Sequence, residues 1–190
     1  YITNNQEFMK LSFYVDENVL IPQPDTEILV EEVLSIANNE NKRNILDICS
    51  GRGCIGISLS YYLKESKITM SDISKNAIEI AKKNAKNNNL LDRVKFIESD
   101  QFEKIEKKFD IIVSNPPYIK TDVIKGLENE VKREPYIALD GGQDGLDFYK
   151  KIIKESNQYL KYGGYLCLEI GFDQKIDIIT LLAYILHKIK

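Results

Sequence analysis

Apolar and polar positions alternate along residues 7–21, EFMKLSFYVDENVLI, which predicts a β-hairpin turning at Asp16-Glu17-Asn18. Pro22 and Pro24 then break the chain. From Asp25 or Thr26, either of which can cap a helix, Ile28, Leu29, Val33, Ile36 and Ala37 recur at helical spacing. Beyond them the period switches back and forth. Buried strands are expected at Asn44–Ile48, Ile68–Met70, Val94–Ile97, Phe109–Val113 and Tyr165–Ile170. Between them helices are expected at Ile55–Leu63, from the N-cap Ser74 through Ala85, and around Phe148–Leu160, with a last one carrying Ile176, Ile179, Leu182 and Ala183. Such alternation predicts an α/β, doubly wound, mostly parallel sheet covered on both faces and preceded by a short hairpin. Residues 1–24 form the hairpin and lead-in segment in this reading, and 25–190 one domain. About thirty residues from Tyr118 to Gly145 lack strong periodicity, the length of a binding loop or lid rather than of an ordinary connection.

Composition narrows the function. The 190 residues hold 43% hydrophobic and 29% charged positions, enough for one full core and far from the disordered class. No apolar run reaches the ~20 residues of a membrane span. A net charge of −3 disfavours a protein that binds nucleic acid through broad phosphate neutralisation. His187 is the only histidine, which leaves no material for a histidine metal cluster, a Ser-His-Asp triad or a histidine base. Cys49, Cys54 and Cys167 match no zinc spacing and are expected as small core residues in a reducing, cytoplasmic setting. Because residue 1 is Tyr, the chain is expected to begin partway through a longer protein, and an organellar transit segment could precede it.

Two segments carry candidate chemistry. Gly51, Gly53 and Gly56 spell G-x-G-x-x-G between the first strand of the alternating series and its helix. The sequence there runs Asp47-Ile48-Cys49-Ser50-Gly51-Arg52-Gly53-Cys54. Bare backbone at 51 and 53 lets a ligand approach the N–H groups, and Asp72 closes the second strand of that series, where a carboxylate can accept from ribose hydroxyls. The same pattern serves dinucleotides, S-adenosylmethionine or a plain helix-packing turn. Asp47 tilts the choice to S-adenosylmethionine, since a carboxylate near the turn attracts an ammonium and repels a pyrophosphate, although it can also be a simple strand-end cap.

The second segment is Asn115-Pro116-Pro117-Tyr118, at the end of the Phe109 strand and therefore on the same rim of the sheet. Successive prolines stiffen the backbone and hold Asn115 extended. The Asn115 side-chain carbonyl and the Pro116 carbonyl can accept both hydrogens of a planar NH2 group, and Tyr118 offers an aromatic face. An amide or base nitrogen is a poor nucleophile, and acceptors on both its hydrogens favour the charge that develops on attack.

With these residues the chain resembles the class I S-adenosylmethionine-dependent methyltransferases of Rossmann-like fold, and among them the release-factor glutamine methyltransferase family (HemK/PrmC). The likeness also rests on Val19-Leu20-Ile21-Pro22-Gln23-Pro24-Asp25-Thr26-Glu27, on Glu134-Pro135, Ala138-Leu139, Gly141-Gly142 and Asp144-Gly145-Leu146 in the long loop, and on Gly163-Gly164 through Glu169-Ile170-Gly171. The resemblance implies N5-methylation of the glutamine in a Gly-Gly-Gln motif of a peptide-chain release factor. It places Cys49, Ser50, Gly51, Arg52 and Gly53 at the methionine part of the cofactor, Asp72 at the ribose and Gln101 beside the adenine. It puts Asn115 against both cofactor and substrate, and Asn115 through Tyr118 around the substrate amide. It implies no metal, and a monomer without direct nucleic-acid or membrane contacts is expected. Gln23 stands where the family usually has arginine, Cys49 and Ser50 where it has Gly and Thr. The family's preceding helical domain and its final antiparallel strand find no counterpart between Tyr1 and Lys190. The competing readings are an adenine-DNA or guanine-RNA amino-methyltransferase, a silent domain that binds the cofactor, and a nicotinamide oxidoreductase resting on the glycines alone.

Overall fold

The computed structural model describes residues 5–15, 23–127 and 135–188. An antiparallel hairpin, β1 (Asn5–Phe8) and β2 (Leu11–Tyr14), precedes helix α1 (Asp25–Asn39). The hairpin turns at Met9 and Lys10, whose φ values of 50° and 60° are those a two-residue type I′ turn requires. The expected turn at Asp16–Asn18 lies outside the described residues, as do Val19–Pro22 and Glu134. Side chains from other elements hold this glycine-free turn: the Met9 N–H donates to Glu27 at 2.6 Å, and the Tyr62 hydroxyl donates to the Met9 carbonyl at 2.9 Å. Phe8, Leu11 and Phe13 bury in the same cluster as the main sheet, so the hairpin extends the core.

Strands β3 (Asn44–Ile48), β4 (Lys67–Asp72), β5 (Val94–Glu98), β6 (Phe109–Ser114) and β7 (Leu160–Leu168) form one sheet in the order β5-β4-β3-β6-β7, every pair parallel. Side chains alternate between its two faces. Ile45, Ile111 and Val113 join a cluster with Val30 and Val33 of α1, Ile57 and Leu59 of α2 (Cys54–Tyr62) and Ala81 and Ala85 of α3 (Lys75–Asn87). Leu46, Ile48 and Ile112 face the other way, against Phe102 and Ile152 of α6 (Asp147–Tyr159). Helix α7 (Lys175–Lys188) packs beside α6 through Ile178. The doubly wound reading holds.

Two boundaries differ from expectation. Strand β7 starts at Leu160 rather than Tyr165. Gly163, with φ of 67°, sits within an irregular stretch where the register to β6 jumps from Phe109–Leu160 to Ile111–Tyr165. Helix α1 begins without a side-chain cap, because its N-cap position is Pro24, which has no side-chain acceptor; Asp25 and Thr26 lie inside the first turn, and the Thr26 hydroxyl donates to Glu169. Between β6 and α6 the long segment makes two short helical turns, α4 (Thr121–Ile124) and α5 (Tyr136–Leu139), and returns to the sheet rim through a parallel bridge between Ile119 and Asp140.

The chain steps outward from β3 to β4 and β5, then crosses back to β6 on the other side of β3. That reversal opens a crevice at the strands' carboxyl ends between β3 and β6. Among the described residues no helix is long and apolar enough to cross a membrane, and no three His, Cys, Asp or Glu converge to hold a metal ion.

Candidate active site

A cleft of about 380 Å³ lies over that switch point. Cys49, Gly51, Asp72, Gln101, Asn115 and Pro117 all line it. Ser50, Arg52, Gly53, Pro116 and Tyr118 stand outside that lining.

After β3 the backbone enters left-handed conformations at Cys49 (φ 57°), Gly51 (φ 54°) and Gly53 (φ 88°). The turn is held by the Ser50 N–H on the Ser71 carbonyl (3.0 Å) and the Gly53 N–H on the Ser50 carbonyl (2.8 Å). The glycines divide by role. A Cβ at Gly51 would meet no atom within 4 Å, so this residue faces the cleft. At Gly53 it would come within 2.5 Å of the Met70 Cε, and at Gly56 within 2.6 Å of the Met70 Cγ. Those two let α2 lie close on β4, while Gly51 borders the cleft. Arg52 is buried, and its carbonyl accepts from Asn84 Nδ2 at 3.1 Å. Burial pushes the Cys49 thiol far above its ordinary range and the Cys54 and Cys167 thiols up to about 11, so none is a ready thiolate.

Asp72 ends β4 with both carboxylate oxygens engaged. Oδ2 accepts from the Gly51 N–H and Oδ1 from the Ser74 N–H, each at 2.8 Å. Burial raises its pKa, and the N–H groups of Ser74, Gly51 and Ile73 oppose the rise. It stitches the glycine turn to the start of α3 and still has lone pairs facing the cleft. Asp47 does neither. Fully buried, it accepts from the Gly56 N–H through Oδ2 (3.0 Å) and lies outside the cleft lining, as a strand-end cap does. Gln101, in a left-handed conformation (φ 49°), has a buried Oε1 that makes no hydrogen bond among the described residues.

Asn115 follows β6, whose end is fastened to β3 by the Ser114 hydroxyl donating to the Ile48 carbonyl at 2.6 Å. Asn115 Nδ2 donates to Thr26 Oγ1 (3.2 Å), and Thr26 in turn donates to Glu169 Oε2 (2.6 Å). Neither Asn115 Oδ1 nor the Pro116 carbonyl accepts a hydrogen bond among the described residues. Burial raises the Glu169 pKa, opposed by the side chains of Thr26, Asn115 and Tyr118, with nearby Asp25 adding to the rise.

The long segment clasps Tyr118 from behind. Gln174 Nε2 donates to the carbonyls of Tyr118 (3.0 Å) and Gly145 (3.1 Å). The Ile119 N–H donates to the Leu139 carbonyl at 3.0 Å, and the Gly141 N–H to the Ile119 carbonyl at 2.8 Å. Gly141 and Gly145 lie where any side chain would strike the Tyr118 backbone. The loop glycines singled out in the sequence therefore shape the proline corner. Thr26 and Glu169 went unread as site residues, although both fall in motifs quoted above.

The residues present fit S-adenosylmethionine: a glycine with open space above it, a carboxylate for a ribose, and an orphaned buried amide oxygen for an exocyclic amine. The family model described as methyltransferase small domain matches residues 23–131. The chain is 50% identical over 186 residues to the release factor glutamine methyltransferase of Clostridium acetobutylicum, covering 96% of this chain and 65% of that protein. It is 40% identical over 177 residues to the ribosomal protein uL3 glutamine methyltransferase of Francisella tularensis, covering 92% of this chain and 56% of that protein. It thus spans less than two thirds of the length of these curated relatives. The SAM-dependent methyltransferase from Agrobacterium tumefaciens superposes with a TM-score of 0.67 at 14% identity, over 94% of this chain and 56% of that one. That likeness establishes the Rossmann-like fold of class I methyltransferases. With more than half its length matched, the chain belongs to the methyltransferase small-domain family.

Proposed function

We propose that residues 25–190 are the catalytic part of an S-adenosylmethionine-dependent enzyme. Its reaction is N5-methylation of the glutamine side chain in a Gly-Gly-Gln motif of a peptide-chain release factor, its protein substrate, and its setting is the cytoplasm. The observation that carries this reading is the Asn115 amide. Its nitrogen is tied back to Thr26, which leaves Oδ1, on a residue that lines the cleft, without a hydrogen bond among the described residues; the carbonyl of the next residue, Pro116, likewise accepts none and is the second acceptor in this reading. Two acceptors suit a primary carboxamide, which has two N–H donors in one plane. The relative from Clostridium acetobutylicum, a release factor glutamine methyltransferase by name, supports the choice of a release-factor glutamine as substrate.

When bound, S-adenosylmethionine would supply an electrophilic sulfonium methyl to the substrate amide nitrogen, its sulfur leaving as a neutral thioether. Gly51 would lie at the methionine part of the cofactor and Asp72 at its ribose, and Gln101 Oε1 would accept from the adenine amine. Asn115 Oδ1 and the Pro116 carbonyl grip the substrate NH2 and stabilise the positive charge that grows on nitrogen, a preorganised electrostatic effect. Tyr118 and Pro117 pack on the flat amide. The surplus proton passes to water, so the site needs no histidine.

The test is mass spectrometry of release factor after incubation with the full-length protein and S-adenosylmethionine. A gain of one methyl on the Gly-Gly-Gln glutamine is expected, and loss of at least ~100-fold in turnover for Asn115→Ala, on the scale of removing an oxyanion donor. Methyl appearing on ribosomal protein uL3 and not on release factor would keep the chemistry and change the partner. Label entering nucleic acid alone would sink the reading.

A further inference from the structure

Three elements converge behind the proline corner. Thr26 lies in the first turn of α1 with only 2% of its surface exposed. Asn115 follows β6, and Glu169 follows β7. Glu169 is held at both backbone ends, its N–H on the Ser114 carbonyl (3.0 Å) and its carbonyl accepting from the Tyr149 hydroxyl (2.8 Å). Its carboxylate accepts from the Thr26 hydroxyl at 2.6 Å and is also hydrogen-bonded by the side chains of Asn115 and Tyr118, while the Thr26 oxygen accepts from the Asn115 amide at 3.2 Å.

A hydroxyl carries one proton, whereas an ionised carboxylate has none to give. With Glu169 claiming that proton, the Thr26 oxygen can only accept from Asn115. The Asn115 nitrogen must then face Thr26 and its oxygen must face the cleft. In the reverse orientation two acceptors would oppose each other in a buried place, at the cost of an unsatisfied polar pair. The inverted amide would also aim its donors at the donors of a substrate NH2.

We propose that Glu169 and Thr26 are positioning residues, a two-step relay that fixes which end of the Asn115 amide faces the substrate. The relay rests on the reading of Asn115 as the acceptor of the substrate amide. Neither residue touches the reacting atoms. Their effect is on the fraction of enzyme in which Asn115 presents oxygen rather than nitrogen.

Thr26→Val keeps the shape and removes the hydroxyl, Thr26→Ser keeps the hydroxyl, and Glu169→Met removes the acceptor. In the full-length protein, Thr26→Val and Glu169→Met are each expected to lower kcat by about 10- to 100-fold, the scale of a misaligned reactant. S-adenosylmethionine affinity and Tm should stay near those of the unmodified protein. Thr26→Ser should recover most of the rate. The double variant should lose no more than either single one, as members of one relay do. A second readout needs no substrate: NMR should find an Asn115 side-chain N–H protected from solvent exchange in the unmodified protein and in Thr26→Ser, and unprotected in Thr26→Val.

Continued protection in Thr26→Val would overturn the relay whatever the substrate is. Full activity in Thr26→Val beside an inactive Asn115→Ala would overturn it while leaving the proposed function intact. A Thr26→Val protein that loses Tm or cofactor affinity in step with kcat would make Thr26 a structural tie and end the proposal. An active Asn115→Ala would remove the reading of the corner and the relay with it.

Discussion

Gly141 lies so close behind Tyr118 that a Cβ built on it would sit 2.7 Å from the Tyr118 Cα, well inside van der Waals contact. Gly141→Ala must therefore displace the proline corner or the strap behind it. The expected result is a loss of about 1–3 kcal/mol in stability, as for other overpacked sites. A larger effect is expected on turnover, about 100-fold, because the corner aligns the reacting amide. Urea unfolding and single-turnover methyl transfer measured on the same sample separate the two. A variant that unfolds more easily yet turns over normally would show that the strap does not set the corner.

Asp72 accepts N–H groups on both sides of the cleft mouth and has lone pairs left for a ribose. Asp72→Ala should raise the S-adenosylmethionine Kd by about 10- to 100-fold, the worth of one or two hydrogen bonds to a charged group. The rate at saturating cofactor should fall much less, since the carboxylate is not at the reacting nitrogen. Calorimetric titration gives the Kd. An unchanged value would remove Asp72 from the binding role.

Asp47 makes stability depend on pH. Burial pushes its carboxyl up to about 8 from an ordinary 3.8; the Gly56 N–H opposes this shift and Asp72 adds to it. The folded state then binds a proton that the unfolded state releases, so ν for the native state exceeds ν for the unfolded state. This group's contribution is fully present below about pH 4, declines as the pH rises through the window between the two values, and is flat above about pH 8. Asp47→Asn keeps an acceptor for the Gly56 N–H and removes the titration. Without cofactor, the drop in Tm from about pH 5 to about pH 8 should be smaller in that variant than in the unmodified protein. Equal drops in both proteins would contradict the assignment.

Gly56 and Met70 occupy one space. A Cβ at 56 would reach 2.6 Å from the Met70 Cγ and 2.7 Å from its Sδ. Gly56→Ala should cost about 1–3 kcal/mol by overpacking, and Met70→Ala about 2–5 kcal/mol by opening a cavity. The double variant should lose clearly less than the sum of the two, since each change relieves the other. Denaturant unfolding of the cycle measures the coupling, and strict additivity would refute it.

The sheet could be read from the sequence because its strands are short apolar runs buried on both faces: Ile45 and Ile111 on one, Leu46 and Ile112 on the other. The hairpin turn could not. Met9 and Lys10 carry none of the Asn-Gly chemistry of a tight turn and are held there by Glu27 and Tyr62, contacts that no local pattern reveals. Thr26 reads as an ordinary helix cap, because its actual partner, Glu169, lies 143 positions away. The glycine signature showed where the turn falls but not which glycine borders the cleft and which packs on the core. That division depends on Met70, a residue of the neighbouring strand.

The bond from Ser114 to Ile48 has a last consequence. It ties together adjacent strands, so the proline corner and the glycine bend are separated by the pitch of a β-ladder, about 4.8 Å between neighbouring chains. In the proposed reaction, the spacing of donor and acceptor would thereby be set by a backbone lattice. Any adaptation to differently shaped targets must fall to the strap and the residues around it, which can vary while the spacing stays fixed.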